Sequence, residues 1–453
     1  MPHEGVERLL QRLSPEPTYP TQGRTLFVDL ARREVRAAYI PRAVVETFLA
    51  GRGSNMYLLY NLLDPALTPL HPDVPLIFGS GILTGIVPSA ARGNVSSWSP
   101  ETHVLMDANA GDYFPSFMKL NGIDHLVLYG RPAEWTYLYI HGGAVEFRDA
   151  TPWLGLDNID LRARVAADFG ARWVSDLAMA SITSAGERQV LCSGIMAGPK
   201  SLYARGGPGA KMGALGLKAV VVHGFDPTMG DGLMKGAIKP YNRAIAKKLL
   251  DTGVVKHALK LRGTPFLYKP SRVLGAMGTL NNQQNTWTDA LDAENLDRWR
   301  PDMAGCFRCP VNCRPLNDLT MGDEGHPRGD RYDTGDGPEY VTVGKFGPMI
   351  GVDDPRVVLR LNNVANDLGL DTASLGSSIA WAMELYERGL IDREKTGGLE
   401  LRWGDAATVE KLFFLTARRE GFGDVIAASA RAVDEGHYPP EALRYRMAVK
   451  GLM

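Results

Sequence analysis

The sequence predicts an α+β protein in which a β-rich domain is followed by a mainly α-helical domain. Short apolar runs separated by polar turns recur within residues 23–226, a pattern typical of strands. Within residues 227–453, apolar residues instead recur at steps of three and four, as they do in amphipathic helices. The 50 glycines and 29 prolines indicate many turns and argue against a simple helical bundle. Residues 1–22 are polar and carry prolines, so we predict an N-terminal extension at the surface.

The β-rich domain contains several strand-like runs and two helical segments. Because short strands joined by tight turns pair as hairpins, we expect a mainly antiparallel arrangement. Gly142 and Gly143 favour such a hairpin, since glycine adopts positive φ without strain. The helical segments are 44–63 and 161–169, the second capped by Asp160. The predicted strands are 25–30, 35–40, 75–78, 126–129, 137–140, 144–147, 180–183, 190–194 and 218–223.

The helical domain shows clear helix signals at 357–368, 375–390 and 406–420. Asp371 or Thr372 has the side chain of an N-cap, and Gly389 lies where the second of these helices should end. These signals predict a helix pair joined by a short polar connection before Asp371.

Composition excludes several classes of protein. The net charge is −1 and no block of like charges occurs, so we expect neither a nucleic-acid partner nor a membrane-surface partner. The N-terminal residues lack the apolar core of a secretory signal, and no apolar run reaches the length of a membrane span. Four cysteines with three of them clustered do not resemble a disulfide framework. We therefore predict a reducing, cytoplasmic location.

The clustered cysteines are the strongest candidates for metal ligands. Cys306, Cys309 and Cys313 are separated by two and then by three residues. Soft thiolate ligands select zinc, cuprous copper or iron–sulfur clusters. The residues alone leave two metal sites open: an iron–sulfur cluster, or a structural zinc site completed by His326. A third interpretation is that the cysteines are buried and bind nothing.

Glycine-rich polar stretches form the other candidate sites. Arg92 lies in a turn of small residues, and an arginine fork suits phosphate oxygens. Asn109, Ala110 and Gly111 follow 17 to 19 residues later, where a glycine would let backbone amides approach a bulky polar ligand. The stretch from Arg205 to Gly213 resembles loops that hold phosphates, although it is not a GxxxxGK[ST] motif. Each stretch taken singly could equally be an ordinary turn.

Two further stretches carry carboxylates. Glu339 follows a proline amid small residues, where a dry environment would raise its pKa towards neutrality; a solvated turn carboxylate is the alternative. The stretch 366–371 joins two predicted helices and could hydrogen-bond a heterocycle rich in donors. Its plain alternative is a helix-ending glycine followed by a capping aspartate.

In this order, these stretches resemble the tungsten-containing aldehyde ferredoxin oxidoreductase family, from about Gly23 to the last residue. The stretches that carry the resemblance are LIFGSGILTGIVPSAARGN, DANAGDYF, ARGGPGAKMGALGLKAVVV, CFRCPVNC, DGPEY and NDLGLDTASLG. The resemblance implies oxidation of aldehydes to carboxylic acids at a tungsten (or molybdenum) bis-pyranopterin centre. It also implies that a [4Fe–4S] cluster passes the electrons to ferredoxin or a partner subunit. A homodimer enters as a hypothesis, because members of the family often dimerise.

The resemblance also implies roles for individual residues. The cluster ligands would be Cys306, Cys309 and Cys313, and Arg92 would lie between the cluster and a pterin. The matches to the segments that contact pterin phosphates and their bridging Mg2+ are Asn109, Ala110, Gly111, Arg205, Gly206 and Gly207. Glu339 matches a carboxylate near the metal, so it is the candidate catalytic proton carrier. The matches to the family's first DxxGL(D/C) motif are Asn366, Asp367, Gly369, Leu370 and Asp371, and the motif leaves open whether Asn366 or Asp367 meets the pterin.

One departure from the family pattern lies at the C-terminus. Family members continue well past the residues that match Lys450 and Leu452, and that part carries a fourth cysteine ligand and an active-site histidine. Cys192, the remaining cysteine here, lies in an apolar run and is expected to be a core residue. Three alternatives therefore stay open: the active-site subunit of a benzoyl-CoA-reductase-type tungstoenzyme, a zinc-bound scaffold without catalysis, and a cofactor-free truncated relative.

Overall fold

The computed structural model describes residues 2–225, 238–322 and 329–453. The chain forms two compact units. The first comprises Met1–Gln189, Ser193–Lys248 and Cys306–Pro310, and the second comprises Val190–Cys192, Leu249–Gly305 and Val311–Met453. The predicted domain boundaries at residues 22 and 226 stay predictions. The sequence did not suggest that Val190–Cys192 would belong to the second unit or Cys306–Pro310 to the first. The α+β class is confirmed, with sheets in the N-terminal part and helices in the C-terminal part.

The first unit contains two six-stranded sheets, and both are mixed rather than purely antiparallel. The first sheet has the strand order β2-β1-β6-β3-β4-β5, and the second has the order β11-β10-β9-β12-β7-β8. The strands are β1 Arg24–Asp29, β2 Glu34–Ala38, β3 Leu76–Ser80, β4 Gly93–Trp98, β5 Leu105–Ala110, β6 Ile123–Tyr129, β7 Thr136–His141, β8 Ala144–Asp149, β9 Leu177–Ser181, β10 Ile195–Met196, β11 Leu202–Tyr203 and β12 Leu217–His223. Eight of the ten strand pairs in these sheets are antiparallel, which confirms the expectation of a mainly antiparallel arrangement. The pairs β1–β6 and β7–β12 are parallel. Parallel strands need a long connection between them, and a pattern of short strands and tight turns contains no signal for such a pair.

Three apolar clusters hold the two sheets and their helices together. The largest combines residues from both sheets, for example Phe78 and Val95 of the first and Leu138 and Val220 of the second. A second cluster covers the other face of the first sheet, and a third covers the other face of the second sheet. The helices of this unit are α1 Pro2–Leu10, α2 Arg42–Phe48, α3 Arg52–Leu62, α4 Phe114–Leu120, α5 Asn158–Phe169, α6 Ser184–Glu187, α7 Pro208–Ala214 and α8 Ile238–Asp251, which runs across the division at Lys248.

Three local expectations for this unit need correction. Residues 1–22 include α1, whose Val6 and Leu9 are buried in the second cluster instead of lying at the surface. The single helix expected at 44–63 is two helices, because Leu49 and Gly51 adopt φ values of 60° and 62° that no helix accommodates. The strand expected at 190–194 is absent from this described segment, which forms turns.

The second unit is mainly helical and carries one small sheet. That sheet has the order β13-β14-β15, with β13 Met303–Ala304, β14 Arg314–Asp318 and β15 Thr334–Asp336. Its helices are α9 Lys260–Arg262, α10 Tyr268–Val273, α11 Ala293–Leu296, α12 Tyr340–Phe346, α13 Pro355–Leu368, α14 Thr372–Glu387, α15 Ala406–Arg418 and α16 Phe422–Ala427. Further single helical turns lie at Val255–Leu259, Thr264–Leu267, Asp289–Leu291, Asp297–Trp299, Pro348–Ile350, Ser429–Arg431 and Pro440–Tyr445. Within the described residues, no helix is both long enough and apolar enough to cross a membrane.

The helix caps explain why the second unit breaks where it does. Gly369 ends α13 in the left-handed region, with φ 64°, and the carboxylate of Asp371 accepts hydrogen bonds from the N–H groups of Ala373 and Ser374. The predicted Asp371 cap is therefore confirmed. Asp160 is wrong as the cap of α5, because that helix already begins at Asn158 and Asp157 takes the cap position.

Candidate functional site

The β4–β5 hairpin brings two of the predicted site segments to one end of the first sheet. Gly93 pairs with Ala110 and Asn94 pairs with Asn109 in an antiparallel register. Arg92 directly precedes the first of these pairs and Gly111 directly follows it. The register therefore places Arg92 and Gly111 at the same end of the hairpin, although 19 residues separate them in the chain.

The first cysteine of the cluster lies against this end of the hairpin. A Cβ atom added to Gly111 would lie 2.8 Å from the Sγ of Cys306, closer than such atoms approach in real structures. The N–H of Phe307 donates a 3.2 Å hydrogen bond to the carbonyl of Asp112, and the Phe307 ring is 5.7 Å from that of Tyr113. Glycine at position 111 thus lets the chain pass directly beside a thiol.

The chain between the cysteines is wound into tight turns. Arg308 and Asn312 both adopt positive φ, and the N–H of Cys309 donates a 3.0 Å hydrogen bond to the carbonyl of Cys306. The Arg308 guanidinium donates to the carbonyl of Gly85 at 3.1 Å. The hydroxyl oxygen of Ser89 lies 3.2 Å from the Cys309 sulfur. The cysteine loop is therefore fixed to the segment that precedes Arg92.

The donor chemistry of these residues fits a soft-metal group. Cys306 and Cys309 are partly exposed thiols of the first unit, and Cys313 is a partly exposed thiol of the second unit. Thiolates of this kind are the ligands that iron–sulfur clusters and zinc share. Among the residues that the structure describes, no three or more His, Cys, Asp or Glu side chains converge closely enough to hold a metal ion. His326, the residue expected to complete a zinc site, lies outside the described residues.

The glycine-rich loop at 205–207 runs along the same hairpin. Gly206 and Gly207 adopt φ values of 88° and 75°. The Ser99 hydroxyl, just beyond the other end of β4, donates a 2.8 Å hydrogen bond to the carbonyl of Gly206. Arg205 and its glycines are therefore anchored near the turn of the hairpin, at the opposite end from Arg92.

Tyr203 connects this loop to the Arg92 end of the hairpin. Its hydroxyl would lie 2.8 Å from a Cβ atom at Gly93. Burial raises the pKa of the Tyr203 hydroxyl, while the positive charge of Arg92 acts in the opposite direction. Tyr203 is thus a buried neutral phenol beside Arg92, a contact that the sequence analysis did not anticipate.

In the second unit, Glu339 lies at the start of α12. The Thr264 hydroxyl donates a short hydrogen bond to the Glu339 carboxylate, and the N–H of Tyr340 donates to the Thr264 oxygen at 3.0 Å. Glu339 takes the N-cap position without capping the helix through its side chain. Its carboxylate is therefore half-buried and directed at a hydroxyl group.

A small cavity lies beneath the turn that leads to Glu339. Its volume is about 20 Å3, enough for a single water molecule. Pro338 forms part of its wall, as does Pro265, which follows Thr264.

In the stretch 366–371, the side chains of Asn366 and Asp367, the two alternatives for contact with the pterin, have different partners. The Asp367 carboxylate is 2% exposed and accepts hydrogen bonds from Arg331 at 3.1 Å and from Tyr332 at 3.2 Å. The Asn366 amide instead donates to the carbonyl of Asp336 at 3.0 Å, two residues before Pro338. The structure therefore brings Asn366 to the Glu339 segment and commits Asp367 to the protein interior.

The rest of this stretch has a structural role. Leu370 is buried, and its N–H donates to the carbonyl of Ala365 as part of the helix end. The N–H of Asp371 donates a 2.8 Å hydrogen bond to the carbonyl of Cys192, which is fully buried. The core role expected of Cys192 agrees with this burial.

Sequence reasoning missed several side chains that hold these segments. Ser89 meets Cys309 across 220 residues and Thr264 meets Glu339 across 75 residues. Ser89 lies inside the stretch that contains Arg92 but was not singled out, and Thr264 lies outside every stretch, so no local signal indicated either contact. Asn94 and Asp107 lay inside the stretches singled out, but their burial and mutual contact become visible only in the folded sheet.

Comparison with known proteins assigns the chain to a family over most of its length. A family model described as the N-terminal domain of aldehyde ferredoxin oxidoreductase matches residues 25–224. A second, described as domains 2 and 3 of the same enzyme, matches residues 241–453. Both matches run through the segments described above, the first across the β4–β5 hairpin and the second across the cysteines and Glu339.

Similar proteins and a solved structure agree with this assignment. The tungsten-containing aldehyde ferredoxin oxidoreductase of Pyrococcus furiosus is 32% identical over 433 residues, covering 93% of this chain and 68% of that protein. The WOR-like subunit of the aliphatic sulfonate oxidoreductase of the same organism is 27% identical, covering 90% of this chain and 66% of that protein. The solved structure of the active-site complex BamBC of benzoyl-coenzyme A reductase, bound to 1,5-dienoyl-CoA, matches with a TM-score of 0.75 and 25% identity over 95% of this chain and 65% of the other. The chain thus spans about two thirds of these proteins, and it belongs to the aldehyde ferredoxin oxidoreductase family of oxidoreductases.

Proposed function

We propose that this chain oxidises small aldehydes to carboxylic acids at a tungsten (or molybdenum) bis-pyranopterin centre. Cys306, Cys309 and Cys313 would hold a [4Fe–4S] cluster, which would supply electron transfer to ferredoxin or a partner subunit. The observation that carries the proposal is the convergence of Arg92, Gly111 and Cys306 at one end of the β4–β5 hairpin. The relatives that bear the name of this activity support the choice of substrate class.

The reaction fixes what the protein must supply. An aldehyde and one water give a carboxylate, two electrons and three protons. When bound, the metal–pterin group and the cluster supply the redox chemistry, which no amino-acid side chain provides. The chain's own residues bind the cofactors, orient the aldehyde and carry the released protons.

The first unit supplies the cofactor-binding segments in this proposal. Asn109, Ala110 and Gly111, together with Arg205, Gly206 and Gly207, would hold the pterin phosphates and their Mg2+. Gly206 and Gly207 adopt positive φ, and turns of this kind can direct successive backbone N–H groups towards an anion. Arg92 would lie between cluster and pterin, with its charge beside the neutral phenol of Tyr203.

In the second unit, Glu339 would accept and release protons while Asn366 lies beside its segment. Its hydrogen bond from Thr264 holds the carboxylate in one orientation, which is the first requirement of an acid–base group. In this proposal Asp367 stabilises α13 and does not bind the pterin, because its Oδ2 accepts hydrogen bonds from Arg331 and Tyr332.

The proposal is tested with protein purified without oxygen. We expect tungsten or molybdenum together with iron, and reduction of a viologen dye that depends on added aldehyde. Zinc as the only bound metal would favour the scaffold hypothesis, and a protein without metal or dye reduction would contradict the proposed activity.

The benzoyl-CoA-reductase-type activity is a second candidate, favoured by the TM-score of 0.75 to the BamBC complex. An aldehyde and a dienoyl-CoA thioester distinguish the two. Dye reduction with the thioester and none with aldehydes would support the second candidate. A cytoplasmic location is part of either proposal, since exposed thiols and a low-potential cluster require reducing conditions.

A further inference from the structure

A chain of buried polar side chains crosses the first sheet and ends at Asn109. It begins at His125 on β6, whose Nδ1 lies 2.8 Å from the Oδ1 of Asn55 on α3. The Asn55 amide donates to the Oδ1 of Asn94 on β4 at 2.9 Å. His125, Asn55 and Asn94 are 1%, 0% and 3% exposed, so these groups have no access to solvent. Buried polar groups persist only when they are paired, and here each one is.

Asn94 is the member that faces the predicted cofactor segment. Its side-chain nitrogen lies 2.5 Å from the Asp107 carboxylate, 3.2 Å from the Ala108 carbonyl and 3.2 Å from the Asn109 Oδ1. Its Oδ1 accepts hydrogen bonds from Asn55 and from Ser96 at 2.5 Å. The oxygen and the nitrogen of the Asn94 amide therefore both have hydrogen-bond partners, and the nitrogen's partners all lie on β5.

At the β5 end of this network, Asp107 is held by a residue of α3, Arg52. The Asp107 carboxylate accepts a hydrogen bond from Arg52 at 2.8 Å and another from the Asn109 amide at 3.0 Å. Because β5 is the last strand of its sheet, only β4 pairs with its backbone there. An edge strand held by one neighbour gains most from side-chain ties of this kind.

The sheet is shaped to admit this network. A Cβ atom at Gly79 on β3 would lie 2.4 Å from the Oδ1 of Asn55, so any larger residue at position 79 would displace that amide. The network is therefore built into four neighbouring strands and one helix. Its members Asn55 and His125 lie outside the stretches that suggested the cofactor site.

We propose that Asn94 is a positioning residue: it holds β5 so that Asn109, Ala110 and Gly111 keep the backbone conformation in which they meet the cofactor. This inference rests on the proposed function, because it assumes that the 109–111 segment contacts the cofactor. Asn94 acts through β5 and does not itself reach the end of the hairpin where Gly111 meets Cys306.

The test compares Asn94→Ala with Asn281→Ala. Asn281 is an equally buried asparagine, and its amide donates to Glu384 and to the carbonyl of Tyr445, neither of which is assigned to the site. Each variant is examined for tungsten (or molybdenum) per folded chain, for thermal unfolding, and for amide hydrogen exchange of the peptide containing residues 105–111.

We expect both variants to unfold at a lower temperature than the wild type. Only Asn94→Ala should bind metal more weakly, by about tenfold, and only its amides in residues 105–111 should exchange faster, also by about tenfold. These changes are expected for the loss of a hydrogen bond to a charged group. The double variant Asn94→Asp with Asp107→Asn restores a donor–acceptor pair between β4 and β5. It should therefore regain metal that Asn94→Asp alone, with two facing carboxylates, does not hold.

Two results would overturn the inference. One is an Asn94→Ala protein that keeps the wild-type metal content and exchange rate. The other is an Asn281→Ala protein that loses metal equally, which would make the effect one of general stability. If the wild type itself binds neither tungsten nor molybdenum, the proposed function fails, and hydrogen exchange still decides whether Asn94 orders β5.

Discussion

Substituting Gly111 by alanine tests the contact on which the candidate site depends. The added methyl group would lie 2.8 Å from the Cys306 sulfur, whereas non-bonded heavy atoms settle at about 3.5–4.0 Å. The sulfur or the hairpin end must therefore move by about 1 Å. Gly111 does not have a positive φ, so the substitution introduces this single contact without backbone strain.

The size of the effect depends on whether the sulfur is free to turn. In a metal-free chain the short Cys306 side chain can rotate away, so we expect a loss of about 1 kcal/mol, the lower end of the range for overpacking. A sulfur bound to iron cannot rotate, and metal–ligand distances tolerate changes of only about 0.2 Å. The full cost of about 1–3 kcal/mol then falls on cluster binding, which corresponds to a loss of roughly 5- to 150-fold in affinity.

The assay measures iron, acid-labile sulfide and thermal unfolding on Gly111→Ala and Gly253→Ala proteins. Gly253 is a suitable control because a Cβ atom there would meet nothing within 4 Å. We expect Gly111→Ala to lose its iron and Gly253→Ala to keep it, while the two metal-free proteins unfold at temperatures within a few degrees of each other. A Gly111→Ala protein with the iron content of the wild type would refute the argument that Cys306 is a ligand in this geometry.

The remaining predictions concern the carboxylates and the buried histidine. Glu339→Gln should lower aldehyde-dependent dye reduction by about 100- to 10,000-fold with little change in metal content, as expected for loss of an acid–base group, whereas Glu294→Gln in the same unit should leave the rate unchanged. Asn366→Ala should release tungsten or molybdenum without lowering the unfolding temperature. Asp367→Asn should instead lower the free energy of unfolding by about 1–3 kcal/mol, because it weakens the contacts with Arg331 and Tyr332. The reverse pattern in metal analysis and thermal unfolding would show that Asp367 meets the cofactor. Burial, reinforced by the charge of Lys119, lowers the pKa of His125 to about 3, so below pH 6.5 the unfolded chain binds a proton that the native chain does not. The free energy of unfolding should therefore fall by about 1.4 kcal/mol per pH unit from pH 6.5 towards pH 3, and His125→Gln should flatten that slope in chemical denaturation; an unchanged slope would contradict this account of His125.

The helical part of the fold could be predicted closely from the sequence. Steps of three and four residues located α13, α14 and α15, and the capping chemistry of Asp371 fixed the start of α14. The hairpin of β7 and β8 was equally clear, because Gly142 and Gly143 meet the requirement of its turn for positive φ. In each case the signal lies within a few neighbouring residues.

The β4–β5 hairpin could not be predicted in this way. The strand Gly93–Trp98 reads GNVSSW, with four polar or small residues that suggest a loop. Asn94 is satisfied by Asn55 of α3 and Asp107 of β5, and Ser96 by Asn55, and these partners lie 13 to 41 residues away in the chain. A buried strand made of polar residues depends on such partners, which a local pattern does not contain.

In the candidate site, too, local signals could be found in the sequence and contacts between distant residues could not. The motifs singled out Gly111, the cysteines and Glu339 as candidates, because glycine-rich turns and clustered thiols are visible in the sequence. The contacts of Ser89 with Cys309 and of Thr264 with Glu339 are made by single hydroxyl groups far away in the chain. The motif at 366–371 leaves open whether Asn366 or Asp367 meets the pterin, and the contacts of Asp367 with Arg331 and Tyr332 could not be predicted from it.

The most direct test of the account is the metal content of the chain purified without oxygen, beside that of a Cys306→Ser variant. We expect about four iron atoms with tungsten or molybdenum in the wild type, and loss of the iron in the variant. Zinc alone in the wild type, or iron that is unaffected by loss of the Cys306 thiol, would contradict the claim that this cysteine loop holds a cluster beside the 109–111 segment.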